Sequence, residues 1–249
     1  ATRLGVEVGD LWIDPSRQQV TDETLALLAA LAEDRSVATT LARMLDGQPV
    51  NATEGLPALH TALRAPRHEV IRVNGVDVVP GVHATLDRMS DLATSIRDGS
   101  MRGATGHPIT AVVSLGIGGS HLGPALAADA LAHLAHPDLT VRFSSNLDGA
   151  DLAAALAGLK PAHTLVVVCS KSFTTVETIT AAESARAWLA DGLGNDQAAG
   201  HLVAVTAYPA RAAALGVAAE MTFALPEWVG GRFSLPSAVG LAVMVAIGS

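Results

Sequence analysis

The segment 170–175 carries the densest group of reactive side chains in the sequence. It reads Ser-Lys-Ser-Phe-Thr-Thr and supplies four hydroxyl groups and one ammonium group. The apolar run Thr164–Cys169 before it predicts a buried strand, and a helical pattern follows it. A strand–loop–helix junction presents backbone N–H donors at the positive end of a helix dipole. We therefore expect phosphate or another small anion to bind here; the alternative is a helix N-cap with surplus Ser and Thr.

A glycine-rich segment follows an earlier apolar run and offers a second close approach to a ligand. Residues 116–120 read Gly-Ile-Gly-Gly-Ser, and Ser120 adds a hydroxyl group. His121 stands where a dinucleotide-binding fingerprint has its third glycine, so the segment fails that motif. Glycines let the backbone approach a ligand closely, and the alternative is a tight turn that needs a positive φ.

Two further polar clusters follow predicted strands. Arg232 lies in the segment 228–234, between a glycine pair and the start of a helix. Its rigid guanidinium fork fits a carboxylate or an oxyanion, and the alternative is a structural salt bridge. Asp148, in the segment 144–149, is expected to cap a helix rather than to act in catalysis.

Composition limits the class of partner. The 249 residues are 49% apolar and 16% charged, which is enough to bury a large core, and the net charge is -8. This charge argues against a nucleic-acid partner, although a few local donors can still attract an anionic metabolite. No apolar span reaches membrane length. The single cysteine, Cys169, ends an apolar run, suits a reducing compartment and is interpreted as a buried structural residue.

The pattern of the sequence changes near residue 107. From Ile109 onward, apolar runs alternate with helical patterns, which predicts a mainly parallel sheet with helices on both faces. Ligands bind such sheets at the carboxyl ends of the strands, near a switch in strand order, and the clusters above fall there. The predicted strands are 111–115, 140–143, 164–169, 201–205 and 221–224, and the predicted helices between them are about 122–134, 152–159, 175–189 and 209–215.

Residues 1–106 are predicted to be mostly helical. Thr21 and Asp22 cap a first helix, in which Leu25, Leu28 and Leu31 form an inner stripe. Asn74-Gly75 between two short apolar runs predicts a β-hairpin. The other predicted helices are 37–45, about 53–63, and a longer amphipathic helix that includes 82–96.

Taken together, these segments resemble the glucose-6-phosphate isomerase family. The matching motifs are Gly-Ile-Gly-Gly-Ser with Leu-Gly-Pro at 116–124, Ser-Asn-Leu-Asp-Gly at 145–149, Ser-Lys-Ser-Phe-Thr-Thr-x-Glu-Thr at 170–178, and Trp-Val-Gly-Gly-Arg-Phe-Ser-Leu-x-Ser-Ala-Val-Gly at 228–240. Ser172 replaces the usual Thr of the third motif, and His121 stands where the family often has Asp. The resemblance runs from about residue 10 to the end and includes Asn51-x-Thr53-Glu54.

The resemblance implies an α/β fold, a three-layer αβα sandwich with a five-stranded, mainly parallel sheet of the sugar-isomerase (SIS) type over 107–249. A helical extension with a small hairpin, 1–106, would precede it. The implied activity is the reversible aldose–ketose interconversion of glucose 6-phosphate and fructose 6-phosphate through an enediolate. The family uses no metal or organic cofactor, and we expect a cytoplasmic homodimer that binds neither nucleic acid nor membrane.

Site residues follow from the resemblance by matching position. Arg232 would stabilise the enediolate, and Glu177 would orient and charge a catalytic histidine; the alternative for Glu177 is a first-turn residue favoured by the helix dipole. Lys171 would act largely through its backbone N–H. The implied substrate-binding set is Gly119, Ser120, Ser170, Lys171, Ser172, Phe173, Thr174 and Thr175.

One part of the family pattern has no match in these motifs. The family's second sheet domain contains the glutamate base, the ring-opening histidine and a late lysine. We therefore expect this chain to be part of a longer polypeptide that grips the substrate here but cannot turn it over with these residues alone. The alternatives are a non-catalytic SIS domain that binds a sugar phosphate, and a scaffold or dimerisation half of a split enzyme.

Overall fold

A computed structural model describes residues 4–248. We call the residues before 107 the extension and those from 107 onward the sheet region. The elements of the extension are β1 Val6–Val8, β2 Leu11–Ile13, α1 Asp22–Asp34, α2 Val37–Leu45, β3 Arg72–Val73, β4 Val76–Asp77 and α3 Val79–Arg97. The sheet region contains β5 Ala111–Leu115, α4 Gly119–Ala130, β6 Thr140–Ser144, α5 Gly149–Leu156, β7 Thr164–Cys169, α6 Val176–Leu193, α7 Asn195–Ala198, β8 Leu202–Thr206, α8 Pro209–Ala214, β9 Thr222–Ala224 and α9 Leu241–Ile247.

The five strands of the sheet region form one parallel sheet in the order β6-β5-β7-β8-β9. This confirms the α/β fold with its five-stranded sheet. Leu115, the last residue of β5, pairs with Ser144 of β6 and with Val168 of β7. The carboxyl ends of these three strands therefore lie level, and the segments that follow them begin side by side.

Helices cover both faces of the sheet, as the alternation of strands and helices predicts. In β7, Leu165 and Val167 face a core built with α3 and α9, whereas Val166 and Val168 face a core built with α5 and α6. Because successive side chains of a strand point to opposite faces, a strand buried on both sides is mostly apolar, and β7 is apolar from Leu165 to Cys169. The β-α order on each side of β5 gives a doubly wound sheet.

The extension consists of two parts that differ in packing. Helix α3 buries Val82, Met89 and Ile96 in the same core as the sheet. Helices α1 and α2 bury none of their residues. The predicted cap of α1 is present, since the Thr21 hydroxyl accepts a hydrogen bond from the Thr24 amide at 3.1 Å. The prediction of an inner stripe in α1 is wrong for this chain: Leu25, Leu28 and Leu31 are exposed.

The helix predicted over 53–63 is also absent. The side-chain oxygen of Asn51 accepts hydrogen bonds from the amides of Thr53 and Glu54, which closes a turn instead. Gly55 has a φ of 68°, in the left-handed region, and Pro57 disfavours helical geometry in the residue before it. Only a 3₁₀ turn, His60–Arg64, forms at the end of the segment.

The predicted hairpin is present and short. Asn74 and Gly75 have φ angles of 51° and 82°, as a type I′ turn requires. β3 and β4 pair antiparallel on either side of the turn. Among residues 4–248, no helix is both long enough and apolar enough to cross a membrane.

Two leucine-to-alanine substitutions test the difference in burial between α6 and α1. Leu189→Ala removes a side chain that is 0% exposed, so we expect the free energy of unfolding to fall by about 2–5 kcal/mol. Leu28→Ala alters a side chain that is 53% exposed and should change that free energy by no more than about 0.5 kcal/mol. Urea titration followed by circular dichroism measures both, and equal losses would show that the α1 stripe is buried after all.

Candidate active site

The order of the strands creates a crevice at the carboxyl edge of the sheet. The chain passes from β5 to β6 on one side, and β7 lies on the other side of β5. The segments after β5 and β7 therefore diverge to opposite faces, and ligands bind such sheets at this switch in strand order. The two segments touch: a Cβ atom on Gly116 would lie 3.0 Å from the carbonyl oxygen of Cys169.

The hydroxyl groups of the phosphate loop, residues 170–175, are arranged around its own backbone. Ser170 Oγ lies 3.2 Å from Thr175 Oγ1 and accepts a hydrogen bond from the Phe173 amide at 3.1 Å. Ser172 Oγ accepts a hydrogen bond from the Thr174 hydroxyl at 2.9 Å. Phe173 has a φ of 52° and buries its ring against the core shared with α6. The loop thus has a fixed shape with its hydroxyl groups gathered together.

Several backbone amides beside these hydroxyl groups have no protein acceptor. Thr175 occupies the N-cap position of α6, but its side chain makes no cap hydrogen bond. The first helical bond runs from the Ile179 amide to the Thr175 carbonyl, so the amides of 175–178 have no intrahelical acceptor. In the described part of the chain, the amides of Lys171 and Ser172 also donate to no acceptor. This weakens the alternative of a simple N-cap and favours an anion site.

Two glycines bring the Arg232 segment against the start of α4. A Cβ atom on Gly119 would lie 2.1 Å from the carbonyl carbon and oxygen of Gly231, so no other residue fits there without a shift. The Ser234 hydroxyl donates a hydrogen bond to the Gly231 carbonyl at 2.7 Å. Gly118 has a positive φ of 54°, so the tight turn that the sequence analysis gave as the alternative is also present. The segment after β5 therefore serves both as a turn and as a contact surface.

Arg232 is exposed and has no carboxylate partner among residues 4–248. The alternative of a structural salt bridge therefore finds no support in that region. Its guanidinium lies over the Phe233 ring, 5.3 Å from the ring centroid. The His60 ring stacks on the same Phe233 ring, at 4.1 Å between centroids and an interplanar angle of 11°. Burial lowers the pKa of the His60 imidazole, and the charges of Arg64 and Arg232 lower it further.

A cavity of about 640 Å³ opens beside Arg232, between the extension and the sheet region. Asn51, Glu54 and His60 line it from the extension, and Lys171 and Arg232 line it from the sheet region. A more apolar cavity of about 280 Å³ also borders Trp228, but no cationic side chain lines it. The larger cavity combines the cationic side chains of Lys171 and Arg232 with the carboxylates of Glu54 and Glu227.

The remaining predicted residues have different surroundings. The Lys171 ammonium donates to the carbonyl oxygens of Glu227 and Val229, at 3.2 and 3.4 Å. Glu177 lies in the first turn of α6, half-buried, and its carboxylate has no hydrogen-bond partner in the described part of the chain. The Ser120 hydroxyl is likewise without a protein partner there. The roles assigned to these residues stay predictions.

Asp148 and Cys169 have the structural positions that the sequence predicts. Asp148 caps α5, since its carboxylate accepts a hydrogen bond from the Ala150 amide at 2.9 Å. Cys169 is 1% exposed, and burial raises the pKa of its thiol to about 12, so it is no nucleophile. No cluster of three metal-ligating side chains occurs within residues 4–248.

Sequence reasoning missed Asp151 and a cluster formed by Tyr208, Arg211 and Glu227. Asp151 accepts hydrogen bonds from the Ser144 hydroxyl and the Ser145 amide, at 2.7 and 2.9 Å. Burial acts to raise the pKa of its carboxyl group, but these hydrogen bonds outweigh burial and lower the pKa. Its position three residues after a helix cap was the available signal. The cluster follows β8 and β9 and had no motif to mark it.

The fold and the site define an α/β protein of the sugar-isomerase type, with unpaired backbone amides at the carboxyl edge of its sheet. The chain belongs to the phosphoglucose isomerase family, whose model matches residues 14–249.

The similar proteins agree with this family. The chain is 51% identical over 250 residues to glucose-6-phosphate isomerase 1 of Streptomyces coelicolor, covering 100% of the chain and 46% of that protein. It is 50% identical to glucose-6-phosphate isomerase of Roseiflexus castenholzii, with 99% and 46% covered. A crystal structure of a glucose-6-phosphate isomerase from Chlamydia trachomatis superposes with a TM-score of 0.75 at 30% identity, covering 92% of the chain and 43% of that protein. The chain therefore spans a little less than half of the length of these relatives.

Two glycines at the first position of a helix test the contact between α4 and the Arg232 segment. Gly119→Ala would drive a methyl group into Gly231, so we expect the free energy of unfolding to fall by about 1–3 kcal/mol. Gly149→Ala, at the start of α5, meets no atom within 4 Å and should be neutral or slightly stabilising. Chemical denaturation measures both, and equal effects would contradict the close contact.

Proposed function

We propose that the protein takes part in the reversible isomerisation of glucose 6-phosphate and fructose 6-phosphate. This chain would supply the phosphate site and the cationic side chain of Arg232. The observation that carries the proposal is the uncapped start of α6, which lies at the switch point of the sheet in a member of the phosphoglucose isomerase family. The names of the similar proteins supply the substrate class.

The phosphate group would bind at residues 170–175 and at the first turn of α6. The amides of Lys171 and Ser172, together with those of the helix start, are donors without protein acceptors. The hydroxyl groups of Ser170, Ser172, Thr174 and Thr175 would add hydrogen bonds, with Thr174 exchanging its bond to Ser172 for a phosphate oxygen. Ser172 keeps the hydroxyl group of the usual Thr, so it can fill the same role. Phe173 would contribute its backbone and keep the loop in place.

The sugar would extend from the phosphate loop toward the segment after β5 and the Arg232 turn. Gly119 has no side chain and would present only its backbone, while the Ser120 hydroxyl would contact a sugar hydroxyl group. The contact between Gly119 and Gly231 supports this arrangement, because it holds Arg232 next to the same segment.

Arg232 would act when negative charge develops on the substrate. Isomerisation removes a proton from the carbon next to the carbonyl group and forms an enediolate. A fixed cation beside the enediolate oxygen stabilises the transition state, and removal of one such donor typically costs about 10²–10³ in rate. Arg232 suits this role because no carboxylate within residues 4–248 neutralises it.

Proton transfer needs groups that the family carries outside the motifs of this chain. A carboxylate base must move the proton between adjacent carbons, and a histidine assists ring opening. Glu177 would orient and charge that histidine from the first turn of α6. Its free carboxylate in the described region is consistent with a partner supplied from elsewhere.

The remaining proposals concern organisation. We propose an extension, 1–106, and a sugar-isomerase domain, 107–249, in a cytoplasmic homodimer that binds neither nucleic acid nor membrane. A non-catalytic domain that only binds a sugar phosphate is the alternative. Such a domain would keep the phosphate loop but would have no use for an unpaired arginine, so Arg232 favours the isomerase.

A coupled assay on the purified 249-residue chain tests whether these residues bind the substrate without catalysing its isomerisation. We expect the chain to bind fructose 6-phosphate and to show no turnover above background, because the base is absent. Binding is measured by calorimetry, with fructose as the control that lacks a phosphate group. Turnover at an ordinary enzyme rate, roughly 1–10³ s⁻¹, would show that the base lies within these residues.

Two substitutions separate chemistry from binding in a protein of full family length that carries these residues. Arg232→Ala should lower kcat by about 10²–10³ with little change in KM. Thr175→Ala should raise KM by about tenfold and leave kcat within about threefold, since it removes one hydrogen bond to the phosphate. Steady-state kinetics measures both. An unchanged kcat in the Arg232 variant, or a lowered kcat with unchanged KM in the Thr175 variant, would contradict these roles.

A further inference from the structure

The ammonium group of the phosphate loop is directed away from the loop. Lys171 donates to the Glu227 and Val229 carbonyls, so its charge is engaged with the segment that leads to Arg232. The cation that contacts the loop comes from α8 instead. Arg211 donates a hydrogen bond from Nη1 to the carbonyl oxygen of Ser172. No motif in the sequence marks Arg211, and nothing in the proposed function uses it.

This hydrogen bond fixes one edge of the peptide unit between Ser172 and Phe173. The other edge is fixed as well, because the Phe173 amide donates to Ser170 Oγ at 3.1 Å. Phe173 has a φ of 52°, which costs a residue other than glycine about 1–2 kcal/mol. A flip of this peptide would reverse one donor and one acceptor at the centre of the loop. Arg211 and Ser170 together oppose that flip.

Arg211 is itself held in place. Its guanidinium lies over the Tyr208 ring, 4.3 Å from the ring centroid. The Tyr208 hydroxyl donates to a carboxylate oxygen of Glu227, and this bond and the Glu227 charge raise the pKa of the Tyr208 phenol. Because Glu227 also accepts from Lys171 through its backbone, the contacts close a ring. We call Lys171, Ser172, Tyr208, Arg211 and Glu227 the Arg211 clamp.

The Arg211 clamp joins three segments that follow neighbouring strands. Ser172 follows β7, Tyr208 follows β8, and Glu227 follows β9. Thr206 adds a further link, since its hydroxyl donates to the Lys171 carbonyl at 3.1 Å. The Arg232 turn comes shortly after Glu227, so the clamp relates the phosphate loop to the arginine that would act on the other end of the sugar.

We propose that Arg211 is a positioning residue of the phosphate site. It keeps the Ser172–Phe173 peptide in the orientation that leaves the loop amides free for an anion, and through Tyr208 and Glu227 it sets the distance between the phosphate loop and the Arg232 turn. This proposal rests on the proposed function for its ligand. It does not require Arg211 to touch the phosphate.

The test compares Arg211→Met and Arg211→Lys with a matched control in the purified chain. Arg186→Met removes the same charge from the exposed face of α6, where the Arg186 side chain makes no hydrogen bond or ion pair with any described residue. Dissociation constants for inorganic phosphate and for fructose 6-phosphate are measured by calorimetry, and exchange of the Phe173 amide hydrogen is followed by NMR. Urea titration reports whether each variant is folded.

We expect Arg211→Met to weaken both ligands about tenfold and to speed exchange of the Phe173 amide about tenfold, as loss of one charge-assisted hydrogen bond implies. Arg211→Lys should recover most of the affinity, and Arg186→Met should bind within about twofold of the unaltered chain. Tyr208→Phe keeps the ring beneath Arg211 but loses the bond to Glu227, and should weaken binding about threefold.

Two outcomes would overturn the proposal. The first is a folded Arg211→Met variant with unchanged phosphate affinity and unchanged Phe173 exchange. The second is equal weakening in Arg186→Met, which would mean that Arg211 acts only as a distant charge. If Arg211→Met does not fold, Tyr208→Phe decides through the same two measurements, and unchanged values there would overturn the proposal. If the unaltered chain binds neither ligand, the proposed function fails, while Phe173 exchange still tests the positioning role.

Discussion

Unpaired backbone amides at the carboxyl edge of the sheet are the constraint on which this site depends. The level ends of β5, β6 and β7 bring the segments after them together, and α6 starts there without a side-chain cap. Fixed N–H dipoles act at hydrogen-bond distance, whereas the net charge of -8 is spread over the molecule and screened beyond about 8–10 Å. An acidic protein can therefore present a local anion site without a basic surface.

The two parts of the extension contribute to the site in different ways. Residues from Leu59 to α3 share the core of the sheet, and the Leu59 amide donates to the Trp228 carbonyl at 3.1 Å. This bond and the His60–Phe233 stack fix the segment that carries Arg232. Helices α1 and α2 bury none of their residues, although Met44 of α2 lines the cavity beside Arg232. The position of Arg232 is thus set in part from outside the sheet region.

The sequence predicts the sheet well because its signals are local. A short run of β-branched and apolar residues such as Thr164–Cys169 is typical of a strand that is buried on both faces. The prediction of a helix over 53–63 was wrong because the spacing of Leu56, Leu59 and Leu63 is that of a helix, whereas Gly55 and Pro57 impose a turn. The prediction of a buried stripe in α1 was wrong for a different reason. Periodicity shows that one face of a helix is apolar, but it does not show what covers that face. The direction of the Lys171 ammonium could not be predicted from the sequence, because its carbonyl acceptors lie more than fifty residues away along the chain.

Lys171, Arg211 and Arg232 differ in the partners of their charged groups, and this difference separates the cations that hold backbone from the one that is left without an ionic or hydrogen-bonded partner in the described residues. Lys171 and Arg211 are engaged with carbonyl oxygens, so each fixes a segment of backbone and neither is free to follow the substrate. Within residues 4–248, Arg232 lies over the face of the Phe233 ring and has no carboxylate partner. Under the proposed function this difference matters, because a cation paired with a carboxylate would have to give up part of that interaction as an enediolate forms, whereas an unpaired guanidinium would meet the new charge with little reorganisation. Lys171 holds the backbone that leads to Arg232 through the Glu227 and Val229 carbonyls, whereas Arg211 holds the Ser172 carbonyl of the phosphate loop.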